Sequence, residues 1–294
     1  MLKNYKNGAV SFLALLLPFL LTAQPLLLKK AHEQNSDPVI ITPMSGTNDV
    51  DVIKKWQMPD ILKEISGISY ISSNRFACIQ DNKGSIFIYN TSGDSLEKII
   101  PFWDSGDFEG IALAGNTIYA VRSNGILYAV TNYKRKNPTI KEYRTSLTEK
   151  QNVEGLCYDE KNKRLLLAIK SNELNTKDYK GIYAFDLVKK VFVDEPVIKI
   201  DLNDPVWKNT SDEQKIRPSD LAVHPVTGDI YVIDGEEPKL IILSPTGAIR
   251  SLQQLKRTQF RLPEGICFSK KGDLFICNEG GLLEKGNILK VALE

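Results

Sequence analysis

Five short segments of this chain each open on an oxygen-bearing side chain. They read Ser66-Gly67-Ile68, Glu109-Gly110-Ile111, Glu154-Gly155-Leu156, Ser219-Asp220-Leu221 and Glu264-Gly265-Ile266. Brought to one axis, Glu109, Glu154, Glu264 and Asp220 would crowd four carboxylates together. Crowded like charges raise one another's pKa or recruit a cation. Calcium suits such a site, because it takes about six to eight oxygens in loose geometry, whereas magnesium demands a tighter octahedron. With only His32 and His224 in the chain, zinc and iron are poorly served. A second tier follows in each segment: Asp81, Arg122, Lys170, Asp234 and Glu279. Of these, Asp81 and Asp234 are expected to face the same site. The expected metal ligands are therefore Glu109, Glu154, Asp220, Glu264, Asp81 and Asp234, and the expected cofactor is Ca2+. The competing reading has the carboxylates capping turns or pairing with Arg122, Lys170 or Arg217.

Other chemistries find little support. His224 lies in Ala222-Val223-His224-Pro225, just before a turn, with no matched nucleophile for a Ser-His-Asp triad. No phosphate-binding loop or dinucleotide fingerprint occurs. Lysine and arginine number 38 against 36 acids, and two of the lysines lie in the first 23 residues, so the rest of the chain is neutral. A neutral body without a basic patch excludes nucleic acid as an expected partner. Cys78, Cys157, Cys267 and Cys277 sit inside apolar strand-like runs and read as buried free thiols.

The elements that must position these residues repeat along the chain. After each opening come a turn and a second strand: Arg75–Gln80, Thr117–Arg122, Arg164–Lys170, Asp229–Asp234 and Asp273–Cys277. Third strands follow at Ser85–Tyr89, Ile126–Val130, Gly181–Phe185, Leu240–Leu243 and Asn287–Val291. The intervals between Gly67, Gly110, Gly155, Asp220 and Gly265 are 43, 45, 65 and 45 residues. Repeats of about 40–45 residues are the length of a four-stranded propeller blade. The long interval carries polar, turn-rich material at Ser171–Lys180 and Asn203–Ile216. Apolar residues come in short β-branched and aromatic runs, and no stretch beyond the N-terminus keeps a helical period. The fold class is all-β, a five-bladed β-propeller, with a sixth blade hidden in residues 171–216 as the alternative. The last repeat ends after three strands, so Val50–Met58 is expected to supply its outer strand and close the ring. The hairpins Val226-Thr227-Gly228-Asp229 and Lys270-Lys271-Gly272-Asp273 place glycine where a positive φ is needed.

The N-terminus has other work. Lys3 and Lys6 precede an apolar run from Ala9 to Leu21, followed by Thr22-Ala23-Gln24. These are the parts of a secretory signal peptide, and the run is short for a membrane span. Residues 1–23 read as a signal peptide or anchor, 24–48 as a spacer and 49–294 as the propeller domain. The protein is expected to be exported (periplasmic, cell-surface or secreted), with membrane attachment through the N-terminus as the alternative.

The openings Leu62-Lys63-Glu64-Ile65-Ser66-Gly67-Ile68, Asp107-Phe108-Glu109-Gly110-Ile111, Asn152-Val153-Glu154-Gly155-Leu156 and Leu262-Pro263-Glu264-Gly265-Ile266 resemble the SdiA-regulated domain family, a relative of NHL-repeat propellers. The resemblance spans roughly residues 50–294. It implies a five-bladed propeller, a membrane-targeting N-terminus and a calcium site at the axis. The fourth repeat departs from the pattern, and Asp220 there is either a replacement ligand or a turn variant. Two functions are consistent with this reading. One is a calcium-organised binding or scaffold module, a monomer that takes a small ligand or a partner protein at the channel mouth. The other is a calcium-dependent hydrolase of an ester, lactone or phosphoester, with a carboxylate as general base.

Overall fold

The computed structural model describes residues 50–171, 173–210 and 215–293. The signal segment and spacer expected over residues 1–48 lie outside them. Among the described residues no helix is long and apolar enough to cross a membrane.

Strand β1 (Val50–Gln57) comes first and waits for its partner at the other end of the chain. Blade 1 is β2 (Ile65–Ser72), β3 (Arg75–Gln80), β4 (Lys83–Asn90) and β5 (Ser95–Ser105). Blade 2 is β6 (Phe108–Ala114), β7 (Thr117–Arg122), β8 (Leu127–Thr131) and β9 (Thr139–Tyr143). Blade 3 is β10 (Val153–Asp159), β11 (Arg164–Ile169), β12 (Tyr179–Asp186) and β13 (Val191–Asp201). Blade 4 is β14 (Pro218–Val223), β15 (Ile230–Asp234), β16 (Lys239–Leu243) and β17 (Ile249–Gln254). Blade 5 is β18 (Pro263–Phe268), β19 (Leu274–Asn278) and β20 (Asn287–Leu293), and β1 pairs antiparallel with β20 as its outer strand. β1 and β20 thus close the ring in one sheet. Among the described residues there are five four-stranded sheets. The sixth-blade alternative fails, because β12 and β13 complete blade 3 and the described residues between β13 and β14 hold only a short 3-10 helix, Pro205–Asn209.

Each blade is pressed between two others, so both faces of its strands must be apolar. β11 shows the division. Leu165, Leu167 and Ile169 join the cluster shared with blade 2, while Leu166 and Ala168 join the one shared with blade 4. Successive side chains point to opposite faces, so a continuous apolar run feeds two interfaces at once. Five such clusters, one between each pair of neighbouring blades, make up the core. All four cysteines are buried, unpaired thiols within or beside these clusters. The hairpin glycines Gly228 and Gly272 have φ of +74° and +91°, as the turns require.

Candidate functional site

The five opening residues share one backbone device. In every inner strand the pairing with the second strand slips by a residue, between Ile65 and Gly67, Phe108 and Gly110, Val153 and Gly155, Pro218 and Asp220, and Pro263 and Gly265. The residue left out of the ladder is Ser66, Glu109, Glu154, Ser219 or Glu264. A β-bulge re-aims its extra residue, and here the same device turns all five side chains at one end of the inner strands. The residue after each bulge faces the neighbouring inner strand at close range. A Cβ on Gly110 would stand 2.8 Å from the backbone N of Leu156, and one on Gly265 would stand 3.0 Å from Cα of Gly67. At Gly110 and Gly265 the inner strands therefore meet at a waist with little room for an added Cβ.

The serines stitch this ring. Ser66 Oγ donates to the Phe108 carbonyl at 2.7 Å and Ser219 Oγ to the Pro263 carbonyl at 2.7 Å, each reaching the next blade. The three glutamates cannot do this while ionised. Glu154 accepts from Asn152 at 2.7 Å and lies 3.3 Å from Lys170 Nζ. Glu109, Glu264 and Asp81 accept no side-chain hydrogen bond among the described residues. Burial, reinforced by Glu154 and Asp81, pushes the Glu109 carboxyl up to about 10. Burial, then repulsion from Glu279, Asp107, Glu64 and Glu154, pushes Asp81 up to about 7. Burial also raises Glu264, only 9% exposed, and Glu154 adds to the effect. Glu154 is raised as well, less so because Lys170 opposes its burial. Burial works against the charge of Lys170, but Glu154, Glu264 and Glu236 together outweigh it.

Asp220 and Asp234 hold other posts. Asp220 occupies the waist position that is glycine in the other blades. Its side chain accepts from the Leu156 amide at 3.1 Å and the Ile266 amide at 2.8 Å, bracing blade 4 against both neighbours. Asp234, fully buried, lies 3.1 Å from Lys239 Nζ and accepts from the backbone amides of Arg217 and Glu237. The register explains why it leaves the group. Asp234 pairs with Pro218 as Arg122 pairs with Phe108, whereas Asp81, Lys170 and Glu279 each stand one residue beyond the equivalent position. One residue along a strand turns the side chain to the other face. Asp81, Lys170 and Glu279 keep company with the glutamates, and Asp234 does not. The inward charges Glu64 and Asp107 escaped sequence reasoning. They sit two residues before Ser66 and Glu109, a spacing that a same-face count could have flagged.

The mouth is thus acidic, with Lys170 as its nearest counter-charge. Among the described residues no three acidic, histidine or cysteine side chains gather closely enough to hold a metal ion as they stand. The pKa shifts have a direct consequence. Asp81 and Glu109 bind protons more tightly folded than unfolded, so stability falls as pH rises from about 4 through their folded values of about 7 and about 10. In chelator, the melting temperature is expected to drop by about 5 °C between roughly pH 5.5 and pH 8.5. An equal or higher value at the alkaline end would mean that the charges are compensated.

A ring of five blades closed by the pairing of β1 with β20, with bulged acids at one end of the axis, defines the class: a five-bladed β-propeller with an acidic axial mouth. The chain belongs to the SdiA-regulated family, whose model matches residues 47–283. No curated protein matches it. Among solved structures, the glutaminyl cyclase of Myxococcus xanthus aligns with 14% identity and a TM-score of 0.61, covering 84% of this chain and 97% of that one. A protein of unknown function from Bacteroides thetaiotaomicron aligns with 12% identity and a TM-score of 0.50, covering 83% and 72%. Identities this low speak for the fold alone.

Proposed function

We propose that this protein is an exported, cation-binding propeller whose acidic mouth, organised by calcium, takes a small ligand or a partner protein. The observation that carries this reading is the set of carboxyl groups at the bulges. Among the described residues Glu264 and Glu109 accept no side-chain hydrogen bond, and both are raised together with Glu154 and Asp81. The donors are all oxygen, which fits a hard cation. Glu109, Glu154, Glu264 and Asp81 would hold the ion. It would supply the positive charge that Lys170 alone cannot. Asp220 and Asp234, whose oxygens are already engaged, stay outside the ligand set.

The test is a thermal melt of the full chain in chelator, then with calcium or magnesium. At about 100 times its Kd an ion adds roughly 2.7 kcal/mol, so calcium is expected to raise the melting temperature by about 5–10 °C. The rise should be larger near pH 8.5, where fewer protons compete. Glu109→Gln should remove most of it. No response to either ion would overturn the reading. Glu154→Gln separates the hydrolase alternative: loss of ester, lactone or phosphoester turnover with the fold intact would mark an enzyme.

A further inference from the structure

The axis has a second mouth, and its chemistry is the reverse of the first. The C-terminal halves of all five inner strands line a funnel of about 900 Å³, within the usual range for small-molecule sites. Its wall includes Tyr70, Leu156, Ile266 and Phe268, with the Cys157 and Cys267 thiols beside them. Burial holds both thiols well above their ordinary pKa, so they present neutral, apolar sulfur. Asp220, bonded to the backbone of Leu156 and Ile266, lies between this funnel and the acidic mouth.

The rim is basic. Lys134, Lys161 and Lys270 are exposed there and make no ion pair among the described residues. Of the two rim acids, Asp159 is held by Arg164 at 2.8 Å, which leaves Glu160 as the one uncompensated negative charge. His224 adds a donor. Its Nδ1 accepts from the backbone amides of Val226 and Thr227 at 3.3 and 3.1 Å, so the neutral ring carries its proton on Nε2. The ring is fixed edge-on to Phe268, with centroids 4.9 Å apart.

We propose that this opposite mouth binds a small amphipathic organic anion, an aromatic or short acyl body bearing a carboxylate. The apolar body would lie against Tyr70, Leu156 and Phe268, and the carboxylate would meet the lysine rim and His224. Charge decides between the two mouths, since the acidic one repels such a ligand.

The test uses the full chain in chelator, which keeps it independent of any cation. Anilinonaphthalene sulfonate, an aromatic anion, is titrated by fluorescence and then displaced by octanoate, with octanol as the neutral control. Saturable binding that octanoate displaces much better than octanol is the expected result. Reversing the rim with Lys134→Glu, Lys161→Glu and Lys270→Glu, all at exposed positions, is expected to weaken octanoate by about tenfold or more. Circular dichroism checks that this variant folds. Absence of saturable binding, equal displacement by octanol, or unchanged affinity in a folded triple variant would each overturn the assignment.

Discussion

Asp220→Ala is expected to lower the melting temperature by about 10 °C, more than any substitution at the acidic mouth. The carboxylate is only 1% exposed and accepts from the Leu156 and Ile266 amides, in the blades on either side. Removing it takes the acceptor from two buried N–H groups, at about 1–3 kcal/mol each. The carboxyl itself resists burial, which raises its pKa, and losing it recovers part of that penalty. A net loss of about 2–4 kcal/mol remains, and each kcal/mol is worth about 2–4 °C in a domain of this size. The neighbouring Ser219→Ala gives the comparison. It forfeits one neutral hydrogen bond to the Pro263 carbonyl, worth about 1 kcal/mol. If the two variants melt together, Asp220 is not the brace described here.

Gly110→Ala is expected to cost about 3–4 kcal/mol in urea unfolding, because the added methyl has nowhere to go. It would stand 2.7 Å from Leu156 Cβ and 2.8 Å from both the Glu154 carbonyl and the Leu156 amide. Two of these atoms are backbone in the adjacent inner strand, so blade 3 would have to withdraw from blade 2. Glu154 would move with it. The control is Gly115→Ala, where nothing lies within 4 Å and only the φ of +62° is strained, at about 1 kcal/mol. Equal losses at the two sites would show that the waist is looser than its distances imply.

The amino-acid sequence by itself determined the repeat, and through it the blade count. Five openings, three of their four intervals being 43 or 45 residues, each followed by a turn and an apolar strand, leave few other ways to bury their surface. The same local chemistry set the hairpin turns at Gly228 and Gly272 and pointed to Val50–Met58 for the closing strand, which the structure forms over Val50–Gln57. It also marked four of the five bulge residues, because an acid or serine before a glycine is a local signature, from which only Ser219-Asp220 departs. The outer strands β5, β9, β13 and β17 were harder to read, being largely unburied and variable in length.

Only the tertiary structure decided which acids share a space. Asp81 and Asp234 look equivalent along the chain, since each ends a second strand near a turn. Pairing with the inner strands puts them one residue out of step, and a period of two sends one to the mouth and the other to Lys239. Asp220 gives the same lesson. Its type suggested a ligand, yet its place at the waist gives its oxygens to amides from two other blades. The basic funnel was likewise hidden, because Lys134, Lys161 and Lys270 come from three turns far apart in sequence. Side-chain type and spacing are local properties, and they specify strands and turns. Which side chains meet depends on strand register and on blades closing around an axis, and those are set only when the whole ring packs.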